Sequence, residues 1–198
     1  MKLLLEAHQL ALELHSHQYK TGSGVAAQIP SISHLMEVAG MVLANGGDEV
    51  TTAAALLHDS IENIGEHSRE AIRERLGEPV LEIVEECTES DALSALPWKE
   101  RKQVYLRQIS TASLPALLVM AADKLQNSRV LLRRLKLQGE AGWGRADREQ
   151  KLWFKQDLLQ AMTDRLRQLE HDANQAMVTG IRLLLAEYAE TVKVLMSC

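Results

Sequence analysis

Apolar residues recur along most of the chain at the spacing of an α-helix. Residues 3–18 place Leu4, Ala7, Ala11 and Leu14 on one face, which predicts a first amphipathic helix. The same spacing predicts helices over residues 34–45, 48–63, 68–76, 78–89, 98–110, 114–135, 147–168 and 169–196. No run alternates with a period of two, so no strand is predicted. The pattern therefore predicts an all-α fold.

Breaks in this pattern separate the predicted helices. They are "KTGSGVAAQIPSIS" before the second helix, Gly77, "SDALSALP" and "QGEAGWG". The apolar stripe after Leu169 needs a covering surface, which is either the body of the domain or an oligomer interface. We therefore predict one domain over 1–165, followed by a helical extension over 166–198.

Composition narrows the class of protein. The 198 residues are 46% hydrophobic and 25% charged, as in a soluble globular domain. With 22 Lys and Arg against 27 Asp and Glu, the net charge of -5 provides no general attraction for nucleic acid. Two cysteines, Cys87 and Cys198, have no metal-binding spacing, and neither a signal peptide nor a membrane span is recognised. A cytoplasmic protein is expected.

The stretch "LLHDSIEN", residues 56–63, brings His58 and Asp59 to the end of an apolar helix. Both side chains are costly to bury without a partner, and a shared divalent cation would satisfy both. His34 and Asp123 are the best further ligands, and the mixed N/O set suits Mn, Fe, Co, Ni or Zn. A buried hydrogen bond between His58 and Asp59 is the simpler alternative. The remaining histidines lie among polar residues and are expected to be exposed: His8, His15, His17, His67 and His171.

The wider motif resembles a known family. "ISHLMEVA", "AAALLHDSIEN" and "AADKLQNSR" are similar, in this order, to HD-domain metal-dependent phosphohydrolases. The resemblance is closest to the hydrolase domain of RelA/SpoT proteins and to stand-alone small alarmone hydrolases of the metazoan SpoT homologue type. It covers about residues 3–165 and implies a single-domain, HD-type helical bundle, here with an additional C-terminal helix.

The resemblance also implies an activity and a set of site residues. The activity is removal of the 3′-pyrophosphate from (p)ppGpp-like nucleotides, usually with manganese. The implied metal ligands are His34, His58, Asp59 and Asp123, with Glu62 and Asn63 at the catalytic positions that follow. The implied substrate contacts are Tyr19, Lys20, Asn127 and Trp153. The spacing of Glu62 agrees with a catalytic role, since positions 58, 59 and 62 share one face of the predicted helix.

Two differences from the family pattern affect substrate recognition and catalysis more than metal binding. Asn63 stands where relatives usually have a second acid, and an amide cannot accept a proton. Tyr19 stands where they usually have an arginine. Two alternative functions therefore stay open: a nucleotide phosphomonoesterase, and a nucleotide-binding module with weakened catalysis. The sequence also leaves open whether the base is guanine or adenine and whether the protein is a homo-oligomer. The expected partner is a small nucleotide, without nucleic acid or membrane.

Overall fold

The computed structural model of the chain describes residues 1–21, 28–89, 95–144, 147–171 and 174–198. Its elements are mostly helices, which confirms the predicted all-α class. The helices are α1 (Lys2–His15), α2 (Ile32–Ala44), α3 (Glu49–Leu57), α4 (Ser60–Ile64), α5 (Glu66–Leu76), α6 (Glu78–Cys87), α7 (Trp98–Ile109), α8 (Leu114–Gln138), α9 (Arg148–Gln168) and α10 (Gln175–Ser197). None in the described part of the chain is long and apolar enough to cross a bilayer.

A short hairpin was not predicted. Strand β1 (Tyr19–Thr21) pairs antiparallel with β2 (Gln28–Pro30), with Lys20 opposite Ile29. Strands of three residues are too short to show the alternation by which a strand is recognised. The glycine-containing segment between them, residues 22–27, lies outside the described residues, as does the loop over 90–94. The hairpin carries Lys20 toward the functional site.

Helix α3 forms the centre of the bundle. Every residue from Thr51 to Leu57 is buried, and the run Ala53–Ala55 allows neighbouring backbones to approach closely. Asp48 caps its first turn, because the carboxylate accepts the backbone N–H of Thr51 at 2.8 Å. Helices α1, α2, α6 and α8 pack around α3. The most buried helix therefore ends at the His-Asp pair.

Three boundaries differ from the prediction. The helix expected over 48–63 is interrupted, because α3 ends at Leu57 and α4 begins at Ser60. A 3₁₀ turn occupies Gly139–Trp143 where a loop was predicted. The last helix begins at Gln175 rather than near residue 169. His58 and Asp59 are consequently the two residues of a helix junction, although the backbone angles of both stay in the right-handed helical region.

The prediction of an exposed His15 is wrong. His15 is 2% exposed; its Nδ1 lies 2.6 Å from Gln18 Oε1 and its Nε2 lies 2.9 Å from Ser60 Oγ. Burial lowers its pKa more than the bond to Gln18 raises it. The error arose because its sequence neighbours are polar, whereas α1 turns this position inward. His15 thus connects the end of α1 to the start of α4.

Helix α10 approaches the end of α2 so closely that only glycine fits at position 180. A Cβ atom added to Gly180 would lie 1.9 Å from the carbonyl oxygen of Asn45. We expect Gly180→Ala to lower the free energy of unfolding by about 3 kcal/mol, since one backbone must move away from the other. Urea denaturation measures this loss. Gly40→Ala is the matched control, because a Cβ there meets nothing within 4 Å, and equal stabilities of the two variants would contradict the prediction.

Candidate metal centre

Three separate parts of the fold bring the four predicted ligands together. His34 lies in the first turn of α2, His58 and Asp59 form the α3–α4 junction, and Asp123 lies on α8. His34 Nε2 is 3.2 Å from His58 Nε2 and 3.2 Å from Asp123 Oδ1. His58 Nε2 is 3.3 Å from Asp59 Oδ1 and 3.6 Å from Asp123 Oδ1. One ligand atom each of His34, His58 and Asp59 falls within a span of 4.8 Å, which suits a single cation.

Hydrogen bonds behind both imidazoles fix which nitrogen faces this cluster. His34 Nδ1 lies 2.7 Å from Gln126 Oε1, and His58 Nδ1 lies 2.8 Å from the carbonyl oxygen of Ala55. These oxygens only accept, so each Nδ1 carries the proton and each Nε2 presents a lone pair. The amide of Gln126 is held in turn, because its Nε2 donates to Glu37 Oε2 at 2.6 Å. Support of this kind behind ligating imidazoles is usual in metal sites.

The chemistry of this donor set fits a metal ion. Two imidazole lone pairs and two carboxylates face one another in a largely buried space, where His34, His58 and Asp123 are at most 5% exposed. These lone pairs and carboxylates repel one another unless a positive charge lies between them. The carboxylates of Asp59 and Asp123 accordingly raise the pKa of His58 although its burial acts in the opposite direction. The cluster thus stabilises positive charge at the point where the four side chains meet.

Both carboxylates stay ionised for the same reason. Burial raises the pKa of Asp59, but the charges of His58 and Lys20 outweigh it and lower the pKa to about 2. Burial likewise raises the pKa of Asp123, and Lys124 with the two histidines lowers it well below its usual value. Both acids are therefore available as anionic ligands at neutral pH.

Two lysines and an amide bind the carboxylates from the outer side. Lys20 Nζ lies 2.6 Å from Asp59 Oδ2, and Lys124 Nζ lies 2.7 Å from Asp123 Oδ2. Asn127 Nδ2 donates to Asp123 Oδ1 at 2.5 Å. Lys20 and Asn127 were predicted to meet the substrate, and the structure places both beside ligands. Lys124 and Gln126 were missed, although each lies within three residues of Asp123 in the sequence.

The two predicted catalytic residues lie at the edge of the cluster, on α4. Glu62 and Asn63 are both exposed in part, and the backbone N–H of Asn63 donates to the carbonyl oxygen of Asp59 at 3.1 Å. Loss of solvent around Glu62, followed by the negative charge of Asp59, raises the pKa of Glu62. A carboxylate whose pKa is raised is a better proton acceptor near neutral pH. Asn63 has no comparable capacity.

A cavity of about 390 Å³ adjoins the cluster, and His34 forms part of its wall. Its near end is lined by Lys20, His34, Lys124 and Asn127. Trp98 and Phe154 form part of its wall, with ring centroids 5.7 Å apart.

Two predicted substrate contacts do not line this cavity. Trp153 packs its ring 6.3 Å from that of Trp98, and Lys99 Nζ lies 5.2 Å from the centroid of Trp153. Tyr19 is 59% exposed. The aromatic wall of the cavity is therefore formed by Phe154 and Trp98. The sequence analysis did not identify Trp98, because it follows a proline-containing loop far from the other motifs.

Comparisons with known proteins agree with this geometry. The HD_4 model, described as an HD domain, matches residues 7–153. The guanosine-3′,5′-bis(diphosphate) 3′-pyrophosphohydrolase MESH1 of Xenopus tropicalis is 37% identical over 133 residues, which is 66% of this chain and 70% of that protein. The human MESH1 is 36% identical over the same shares of both chains. A GTP pyrophosphokinase rsh of Brucella ovis is 31% identical over 95% of this chain, which spans only 27% of the length of that enzyme.

Solved structures share the fold. A structure described as a metazoan ortholog of SpoT that hydrolyzes ppGpp superposes with a TM-score of 0.70 at 23% identity, covering 94% of this chain and 96% of that one. The Listeria monocytogenes EGD-e protein lmo0812 superposes with a TM-score of 0.66 at 26% identity, covering 83% and 99%. These matches confirm the HD-type bundle and the predicted resemblance. The chain belongs to the HD-domain family.

Proposed function

We propose that the protein is a divalent-metal-dependent hydrolase that removes the 3′-pyrophosphate from ppGpp-like purine nucleotides. One observation carries the proposal: the acceptor cluster of His34, His58, Asp59 and Asp123 adjoins a cavity that His34 lines together with Lys20 and Lys124. Anionic ligands hold a cation, and lysines neutralise phosphate oxygens. The activity named for the MESH1 relatives supports this choice over a phosphomonoesterase.

The four clustered side chains would hold the metal, for which manganese is our choice. When bound, such an ion supplies Lewis-acid stabilisation of phosphoryl charge and a lower pKa for bound water. Gln126 and the carbonyl oxygen of Ala55 would keep both imidazoles in the ligating tautomer. An HD domain implies a divalent metal, and we propose that this metal is manganese.

We assign the remaining roles from position and chemistry. Glu62 would accept the proton of the attacking water, because its pKa is raised and it lies in the turn that follows Asp59. Lys20 and Asn127 would orient the substrate phosphate from either side of the ligands. Asn63 leaves Glu62 as the single acid of this pair. Residues 1–165 would form the hydrolase domain and 166–198 its helical extension, in a cytoplasmic protein.

A substrate panel tests the proposal. Purified protein loaded with Mn²⁺ is incubated with ppGpp, with its adenine counterpart and with nucleoside monophosphates, and the released pyrophosphate and phosphate are measured separately. We expect pyrophosphate from at least one of the two 3′-pyrophosphorylated nucleotides. Phosphate released only from monophosphates would identify a phosphomonoesterase, and binding without turnover would identify a nucleotide-binding module. Either result would overturn the proposal.

A further inference from the structure

A buried imidazole outside the metal centre joins α1 to two elements that carry site residues. His15, the last residue of α1, is 2% exposed, and Ser60, the first residue of α4, is fully buried. His15 Nε2 lies 2.9 Å from Ser60 Oγ, and His15 Nδ1 lies 2.6 Å from Gln18 Oε1. Ser60 directly follows the ligand Asp59, and Gln18 directly precedes β1. The imidazole of His15 therefore bridges α4 and the hairpin.

The two hydrogen bonds of His15 require a neutral ring. The amide oxygen of Gln18 only accepts, so His15 Nδ1 carries the proton, and the hydroxyl of Ser60 donates to the lone pair of Nε2. Burial lowers the pKa of His15, which keeps the ring neutral at pH 7. A neutral imidazole donates at one edge and accepts at the other, which a lysine or an arginine cannot do. The bridge thus depends on the chemistry of histidine at this position.

The position of Glu62 depends on this bridge because α4 is little more than one turn. A helix of five residues is not stable by itself, so contacts with the rest of the fold hold α4 in place. Ser60 and Ile61 are its buried residues, and Ser60 Oγ contributes a polar contact with α1. Glu62 comes directly after these two residues. Loss of the bond between His15 and Ser60 would let the turn that carries Glu62 shift relative to the metal ligands.

The other bond of His15 fixes the base of the hairpin. The backbone N–H of Gln18 donates to the carbonyl oxygen of His15 at 3.0 Å, and the carbonyl oxygen of Gln18 accepts from the N–H of Ser31 at 2.9 Å. Gln18 thus closes the hairpin with its backbone while the imidazole holds its side chain. Lys20 lies two residues further along the chain, in β1, where it pairs with Asp59. Loss of this second bond would let Lys20 move away from Asp59.

We propose that His15 is a positioning residue of the hydrolase site, which holds Glu62 in place through Ser60 and Lys20 in place through Gln18. This inference rests on the proposed function, in which Glu62 accepts a proton and Lys20 orients the substrate phosphate. The two bonds serve different steps. The bond to Ser60 supports turnover, and the bond to Gln18 supports substrate binding. His15 acts through these partners rather than by contact with the reacting atoms.

Amide replacements of His15 separate the two bonds. The nitrogen of asparagine can take the place of Nδ1 and donate to Gln18, whereas the oxygen of glutamine can take the place of Nε2 and accept from Ser60. His15→Phe removes both bonds. At saturating Mn²⁺, with the 3′-pyrophosphorylated nucleotide that the wild type cleaves faster, we expect His15→Phe to lower kcat and raise KM, each about tenfold. His15→Gln should restore kcat alone, and His15→Asn should restore KM alone.

Changes of the two partners test the same bonds from the other side. Ser60→Ala should lower kcat about tenfold and leave KM unchanged, and Gln18→Leu should raise KM about tenfold and leave kcat unchanged. Neither change should cause a further loss when it is combined with His15→Phe, because the bond is already absent. Additive losses in the combined variants would overturn the proposal.

An exposed histidine provides the matched control. His67→Phe makes the same replacement on the surface of α5 and should change neither kcat nor KM. Thermal unfolding identifies a variant that fails to fold, and if His15→Phe is such a variant, the asparagine and glutamine variants decide. Equal changes of kcat and KM in those two variants would indicate a general structural role and overturn the proposal. Wild-type kinetics in a folded His15→Phe variant would overturn it as well.

Amide hydrogen exchange tests the bridge without any activity. If the wild type releases no pyrophosphate from any nucleotide, the proposed function fails, and exchange then decides about the bridge. We expect the amides of residues 60–64 and 19–21 to exchange about tenfold faster in His15→Phe than in the wild type, with α8 unchanged, because loss of the bridge loosens α4 and the hairpin locally. Equal exchange in both proteins would overturn the bridge.

Discussion

Asp59→Ala is expected to remove bound divalent metal and activity together. Asp59 supplies one of the two carboxylates that face His34 and His58, and Asp123 alone would leave the cation with one anionic ligand. Substitution of residues that only hydrogen-bond to a metal ligand typically lowers metal affinity or activity 10- to 100-fold. We therefore expect loss of a direct ligand to lower pyrophosphate release by about 100-fold or more. Metal content per chain and the rate of pyrophosphate release are the two measurements.

Asp164→Ala is the matched control for this variant. Asp164 is an exposed acid on α9 that pairs with Arg167, and it lies outside the cavity wall. Its removal should leave both metal content and rate unchanged. Because Asp59 also pairs with Lys20, a third variant, Lys20→Met, shows how much of the loss comes from that ion pair. Full metal content and full activity in Asp59→Ala would contradict the assignment of this ligand.

Glu62→Gln is expected to lower turnover about 10²- to 10⁴-fold while the metal stays bound. Glutamine has nearly the shape of glutamate but cannot accept a proton. Among the described residues, Asp59 and Asp123 lie within 3.6 Å of the histidine nitrogens, whereas Glu62 forms no such pair, so we expect its replacement to leave the ligands in place. Single-turnover rates of pyrophosphate release, together with metal analysis of the same sample, measure the two properties separately.

The control for this variant is Glu70→Gln, an exposed acid of α5. It should behave as the wild type does. Loss of metal from Glu62→Gln would show that Glu62 is a ligand, and unchanged turnover would show that another group accepts the proton. Either outcome would contradict the role proposed for Glu62.

Most helices could be predicted because each contributes an apolar stripe to one core. The stripe of α8 is long, and its cap at Ser113 and its glycine at position 139 match the predicted limits closely. The break at His58 could not be predicted, since no glycine or proline stands between Leu57 and Ile61. Tertiary contacts decide such a junction. The same is true of β1 and β2, which are formed by pairing rather than by local preference.

The metal ligands of the site could likewise be predicted better than the residues that line the cavity. The sequence could point to His58, Asp59 and Asp123 because each follows an apolar run, where a buried imidazole or acid requires a partner. His34 is a candidate because it stands at the start of a predicted helix, directly after a loop. The substrate side was harder to predict. Three cations that line the cavity, Arg134, Lys151 and Lys155, lie on α8 and α9 among other charged residues, and no local feature distinguishes them from solvated side chains. Only the folded arrangement brings these three side chains from two helices to one cavity.

The continuity of α8 gives the cavity a fixed length scale. Asp123 at one end and Arg134 at the other belong to a single helix without proline or glycine between them, so their separation depends on backbone geometry rather than on loop conformation. One residue inserted between them would move Arg134 by about 1.5 Å and rotate it by about 100° away from the cavity. The distance between Asp123 and Arg134 is therefore set by the register of α8 and would change with any insertion between them.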